Sequence, residues 1–122
     1  MSQFSRNIRV HVDAELRAAA AAQARDEPAA AFSHLERAHV LGQGATLHHV
    51  RVHWHMLVWG VRQRSARECV GQLLRIVGAA TKTAVGLVPH GNTGGANVSP
   101  FRRMPVPAEL QARIRQARAS AP

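Results

Sequence analysis

The stretch Ala45–Arg64, ATLHHVRVHWHMLVWGVRQR, constrains the fold more than any other part of the chain, because it carries four of the eight histidines and both tryptophans. At 100° per residue, Leu47, Val50, Trp54, Leu57, Val58 and Val61 fall within one stripe about 100° wide, the apolar signature of a helix. A second, weaker strip of Val52, Met56 and Trp59 lies opposite. A helix apolar on two sides is packed on two sides, so this stretch is expected to form a central, buried helix. Its histidines divide into two pairs. His49 and His53, at i and i+4, share the face of Met56 and Gly60 and are expected to be buried. His48 and His55, at i and i+7, lie with Arg51 and Arg62 and are expected to be wet.

The rest of the chain can supply partners for such a helix. A chain of 122 residues is the size of one domain and buries about two thirds of its unfolded surface. Its hydrophobic fraction of 46% includes many alanines but only five Phe or Trp, which favours closely packed helices. Phe4, Ile8, Val12, Leu16 and Ala19 place one apolar face on a first helix over residues 3–25, with an alanine run at Ala18–Ala22. Asp26-Glu27-Pro28 stops it and starts a second, residues 28–41, since proline is tolerated where a helix needs no N–H. Ala31, Phe32, Leu35, Ala38 and Leu41 line that helix, with His34 on one edge and His39 on the other. Gly42-Gln43-Gly44 closes it. After the central helix, residues 45–63, a fourth is expected over 65–86, where Ala66, Cys69, Val70, Leu73, Ile76, Val77 and Ala80 share a face. A fifth, residues 107–118, carries Leu110, Ile114 and Ala117 and is expected to dock across the others.

Short connections make neighbouring helices antiparallel, so the first four stack as two helical hairpins. The hairpin turns at Glu27 and Ser65 lie 38 residues apart, close to the ~34-residue period of a tetratricopeptide repeat. The fold class is therefore all-α, with two antiparallel hairpins in a tetratricopeptide-like or four-helix arrangement. Residues 88–106 form a long Gly/Asn-rich loop between the fourth and fifth helices. Loops longer than ~12–15 residues in small domains tend to be functional. Val98 and Phe101 are apolar anchors, and Pro89 and Pro100 stiffen the ends, so this one is expected to fold back near the histidines.

Charge narrows the partners. Sixteen Lys plus Arg against seven Asp plus Glu give +9, and Lys82 is the only lysine. Such a surface attracts polyanions, and a basic face of Arg51, His55 and Arg62 is the candidate site for a nucleic-acid or protein partner. The single cysteine, Cys69, excludes an internal disulfide and a cysteine-only zinc site. No N-terminal run is long and apolar enough for a signal peptide or a membrane span, so the expectation is a cytoplasmic protein without a membrane partner.

The segments HLERAHVLGQ, HVRVHWHML, GAATKTAVGLVP and GNTGGANVSPF, taken in this order, resemble a family of small bacterial proteins catalogued as a domain of unknown function. The resemblance covers nearly the whole chain. Genes of this kind are associated with heavy-metal resistance neighbourhoods, and the resemblance therefore implies a metal role.

The residues carry that role independently. His49 and His53 have the spacing that lets two imidazoles converge on one ion from a single helix. A third ligand can come from His34 or His39, which stand about 140° apart on the second helix and do not both reach one ion. Glu36 and His39 form Glu-x-x-His, but the pattern does not recur and the acids are too few for a carboxylate-bridged di-iron centre. Neutral imidazoles bind Zn, Cu, Ni or Fe. The loop offers a second chemistry. Its glycines can turn N–H groups toward one anion, with Lys82, Asn92, Asn97 and Ser99 as further donors, although no Gly-Lys-Ser/Thr follows and it is not a P-loop. The reading is a non-enzymatic, cytoplasmic metal-binding or metal-stress accessory protein with ligands among His34, His39, His49 and His53. Two alternatives stand beside it. One is a helical module that binds a protein or nucleic acid through the basic face. The other is a small enzyme with its site between the histidines and the loop.

Overall fold

The computed structural model describes residues 2–82, 91–99 and 102–119, apart from the side chains of Thr81 and Lys82. Five helices follow in order: α1 Gln3–Ala24, α2 Pro28–Gly42, α3 Thr46–Arg62, α4 Ala66–Lys82 and α5 Ala108–Ala119. The first four pair as hairpins, α1 with α2 and α3 with α4, and α5 packs on α1 and α2. Residues 83–86, expected at the end of the fourth helix, lie outside the described residues, as do Pro89, Pro100 and Phe101.

Local chemistry sets each boundary. The Ser2 side chain accepts from the Ser5 N–H and caps α1, and Pro28 occupies the first turn of α2. Both hairpin turns use the same cap. Asp26 and Arg64 hold φ of 59° and 55°. The next N–H reaches back five residues, from Glu27 to the Ala22 carbonyl and from Ser65 to that of Gly60, each at 2.9 Å. This six-to-one bond satisfies an orphaned helix carbonyl, at the cost of a left-handed residue that is not glycine. The likeness between the hairpins therefore extends to their turns.

The core is where α1 predicts it. Ile8, Val12 and Leu16 meet Leu35, Ala38 and Leu41 of α2, Val52 and Met56 of α3, and Leu110, Ile114 and Ala117 of α5 in one cluster. Phe32 and Trp59 pack with centroids 4.5 Å apart, and the Trp59 indole donates to the Pro28 carbonyl at 2.9 Å.

The α3 stripe expected in the core is not there. Leu47, Trp54 and Val61 are 54–62% exposed, whereas His48, His49, Val52, His53, Met56 and Gly60 are buried. The weaker strip wins because it carries the histidines and the small residue that α4 requires. A Cβ on Gly60 would stand 3.3 Å from the Cys69 backbone N and Sγ, so α3 and α4 approach closely on that line. The same inversion holds in α4, which buries Glu68, Gln72 and Ala79 and exposes Val70, Leu73, Leu74 and Val77.

Candidate metal centre

α2 and α3 bring three histidines together. The Gln43–Ala45 connection reverses the chain, and Gly42 lets the helices cross tightly: a Cβ there would lie 2.9 Å from that of His48. His39, near the end of α2, thereby faces the His49/His53 side of α3. The three rings stand 4.8–4.9 Å apart, centroid to centroid. One donor nitrogen from each lies within 4.8 Å of the other two, and all three residues are buried. His39 Nε2 and His49 Nε2 are 3.1 Å apart. Two nitrogens bound tetrahedrally to one zinc at 2.0–2.1 Å are separated by about 3.3 Å, so this pair already stands at a ligand spacing.

The remaining nitrogens are fixed by the protein. His39 Nδ1 lies 2.5 Å from the Asn92 carbonyl oxygen. A carbonyl only accepts, so Nδ1 carries the proton and Nε2 presents its lone pair. With His39 Nε2 an acceptor, the 3.1 Å contact is a hydrogen bond donated by His49 Nε2–H, and for His49 to ligate a cation through Nε2 the neutral ring takes its other tautomer, with the proton on Nδ1. His53 Nδ1 lies 2.5 Å from the Gln72 Oε1. The Gln72 amide in turn donates to Glu68 Oε2 at 2.5 Å and to the Gly94 carbonyl at 3.0 Å, which leaves Oε1 to accept from the imidazole. Glu68 also receives the Ala96 N–H at 3.1 Å. A carboxylate–amide–imidazole chain of this kind fixes a ring and its tautomer and raises the basicity of the free nitrogen.

The described part of the loop, residues 91–99, returns across the site. Asn92 Oδ1 accepts from the Gly94 N–H, and its Nδ2 donates to the Ser99 and Arg102 carbonyls at 2.8 and 2.7 Å. The tight turn carries Gly94 over the His39 ring at φ +85°, where a Cβ would come within 2.4 Å of Cδ2. Arg75 donates to the Val98 carbonyl at 2.7 Å and ties the loop to α4. Asn92, one of the expected anion donors, is therefore spent on the loop's own carbonyls. Asn97 and Ser99 are exposed, and the Lys82 side chain lies outside the described residues.

Burial, followed by the neighbouring His53 and His49, holds the His39 imidazole well below its ordinary range. It is neutral near pH 7, the form that ligates. Burial and the Glu68 carboxylate raise Glu36, which bonds Thr93 of the loop.

Other residues singled out by the sequence lie elsewhere. His34, expected as a possible ligand, instead places Nδ1 2.8 Å from Glu15 Oε1. Glu15 is a buried carboxylate that also accepts from Arg37 at 3.1 Å. His48, expected to be wet, is fully buried: Nε2 donates to the Ser5 carbonyl at 2.8 Å, and Nδ1 accepts from Arg51 at 2.9 Å. Arg51 also binds Asp13 at 2.7 Å, so much of its charge is committed within the protein. His55 and Arg62 are exposed beside it, and partial desolvation and the Arg51 charge lower the His55 imidazole. Gln72 escaped the sequence reading. Its signal was a polar pair, Glu68 and Gln72, at i and i+4 on the side of α4 opposite Val70 and Leu73.

The family model for a protein of unknown function, DUF3703, matches residues 6–114. The chain belongs to this family. No curated protein and no solved structure gives a significant match. Family membership agrees with the expected domain of unknown function over most of the chain and assigns no activity, so the chemistry of the site has to be argued from its donors. Three imidazoles without a thiolate suit a borderline divalent ion. Among the described residues no helix is long and apolar enough to cross a membrane.

Proposed function

We infer that this protein binds one divalent transition-metal ion of the zinc, copper, nickel or iron class through His39, His49 and His53, as a non-enzymatic cytoplasmic metal-binding or metal-stress protein. The observation that carries the reading is the convergence of three buried imidazoles from two helices, two of them with their Nδ1 protons already held by oxygen acceptors. A group of neutral, oriented donors costs little to reorganise when a cation arrives, and three protein ligands leave a fourth tetrahedral position for an exogenous group. The Glu68 carboxylate, one amide removed, partly balances the added charge. Binding or carriage is favoured over catalysis because the loop packs directly on His39, with Gly94 against the imidazole. It is favoured over anion capture because the Asn92 donors are engaged.

The test is titration of tag-free protein, stripped with chelator, with Zn²⁺, Cu²⁺, Ni²⁺ and, anaerobically, Fe²⁺, followed by elemental analysis after gel filtration. One equivalent is expected to remain bound. His39→Ala, His49→Ala and His53→Ala each lose it, and His34→Ala keeps it. Folded wild-type protein that retains none of these ions, or that loses its ion on substitution of His34, overturns the assignment.

A further inference from the structure

We propose that the outer face of the α3–α4 hairpin is the self-association surface of this protein, with the same hairpin of a second copy packed across it as a four-helix bundle.

The sequence pattern of that face is a helix-packing seam. On α3, Leu47, Val50, Trp54, Leu57 and Val61 are spaced 3-4-3-4, and on α4 Val70, Leu73 and Val77 are spaced 3-4. This is the a/d repeat that places one helix on another at about 20°. Among the described residues α4 packs against α3 and no other helix, and its inward side is polar, given to Gln72 and Glu68. Its apolar side is open, with Leu74 71% exposed. Leu47, Val50 and Trp54 of the α3 seam, with Arg51 and His55, face Ile76 of α4 across a groove of about 300 Å³.

Area and shape select the occupant. Leu47, Trp54, Val61, Val70, Leu73, Leu74 and Val77 are each 54–71% exposed and together present on the order of 800 Å² of residue surface, more than the ~300–600 Å² of the largest patch on a typical monomer. That matches the ~800 Å² per partner of a stable protein interface. One amphipathic helix would fill the groove between α3 and α4 and leave their flanks bare. A second hairpin covers both seams, and a two-fold axis requires only that the patch be complementary to itself.

Charge sets the orientation. Arg62, Arg64 and Arg67 cluster at the α3–α4 turn. A parallel pairing would bring the two clusters together. An antiparallel one separates them by roughly the ~25 Å length of a 17-residue helix, well beyond the ~8 Å Debye length at physiological salt.

Sedimentation velocity of the full chain at 1–100 µM reads the outcome. The wild type is expected at twice 13.2 kDa, or 26.4 kDa. Leu74→Glu, which enters the seam twice across a two-fold axis, should raise the dimer Kd at least ~100-fold. The helical circular dichroism signal should be kept, because the position is open in the single chain. Val10→Glu, on an exposed site of α1 outside the seam, should remain dimeric. In a Trp59→Phe background Trp54 is the only tryptophan, and its emission should move to longer wavelength as dilution separates the chains. A wild type of 13.2 kDa over the whole range overturns the proposal. If that monomer pellets with anionic phosphatidylserine vesicles, the face belongs to a lipid surface instead. Persistence of the dimer in folded Leu74→Glu also overturns it.

Discussion

Replacing Gly94 with alanine strikes the candidate centre without removing a ligand. At φ +85° an L-residue is strained, and the left-handed region costs about 1–2 kcal/mol. The new Cβ would also lie 2.4 Å from His39 Cδ2 and 2.8 Å from Nε2. Relief to an ordinary contact of about 3.4 Å needs a withdrawal of about 1 Å by the ring or the loop. If the ring moves, Nε2 leaves a bond that tolerates only about ±0.2 Å. If the loop moves, Asn92 no longer orients His39. Loss of an orienting partner alone costs ~10–100-fold in metal affinity, so Gly94→Ala should weaken binding by at least that factor. The metal-free protein should lose roughly 2–3 kcal/mol, within the range for a strained, overpacked site. Competition with a chromophoric chelator gives the first quantity and urea unfolding the second. Gly44→Ala is the control, since its Cβ would stand 3.3 Å from the end of Arg118, which can move aside. Wild-type affinity within twofold in folded Gly94→Ala protein would refute the placement of the loop on His39, and with it the account of how the site is held.

Three further outcomes follow from the same geometry. Gln72→Leu keeps the three ligands and breaks the chain from Glu68 to His53, so metal affinity should fall ~10–100-fold in the chelator assay, at unchanged one-to-one stoichiometry. The metal-free protein should become less stable as pH drops below about 6.5, where an unfolded histidine begins to bind a proton that His39 in the folded protein refuses; the sign is that of a depressed folded-state group, with stability intact above that pH, and urea midpoints at pH 7.5 and 5.5 should show it. Arg64→Gly removes a left-handed non-glycine residue from an exposed turn and should stabilise the protein by about 0.5–1 kcal/mol in the same unfolding assay.

The helices were legible because their signals are local: apolar spacing in α1 and α2, proline at the start of α2, and Leu110, Ile114 and Ala117 in α5. The pair His49 and His53 was legible for the same reason, as i,i+4 spacing fixes a shared face. What sequence could not settle was which of two apolar faces of α3 is buried. Amphipathicity favoured Leu47, Val50 and Trp54. Burial followed the histidines, because three imidazole rings in mutual contact and the Gly60–Cys69 approach define where α2 and α4 lie. The choice of His39 over His34 depended on Glu15, a buried acid 19 residues away that captures His34. The supporting groups Gln72 and Asn92 lie 19 residues from His53 and 53 from His39, so no local pattern connects them to the histidine cluster.

The burial of the histidines also bears on time. Their exposures are 2–6% and Gly94 lies on the His39 ring, so an ion bound as proposed would reach His39 from the loop side only while the Asn92–Gly94 turn is lifted. Residence is then set by how often that turn opens, and the rate of metal transfer to an excess of chelator should level off as the chelator concentration rises. A protein built this way would hold its ion through brief encounters with competitors and release it on its own schedule, a property that suits custody more than rapid exchange.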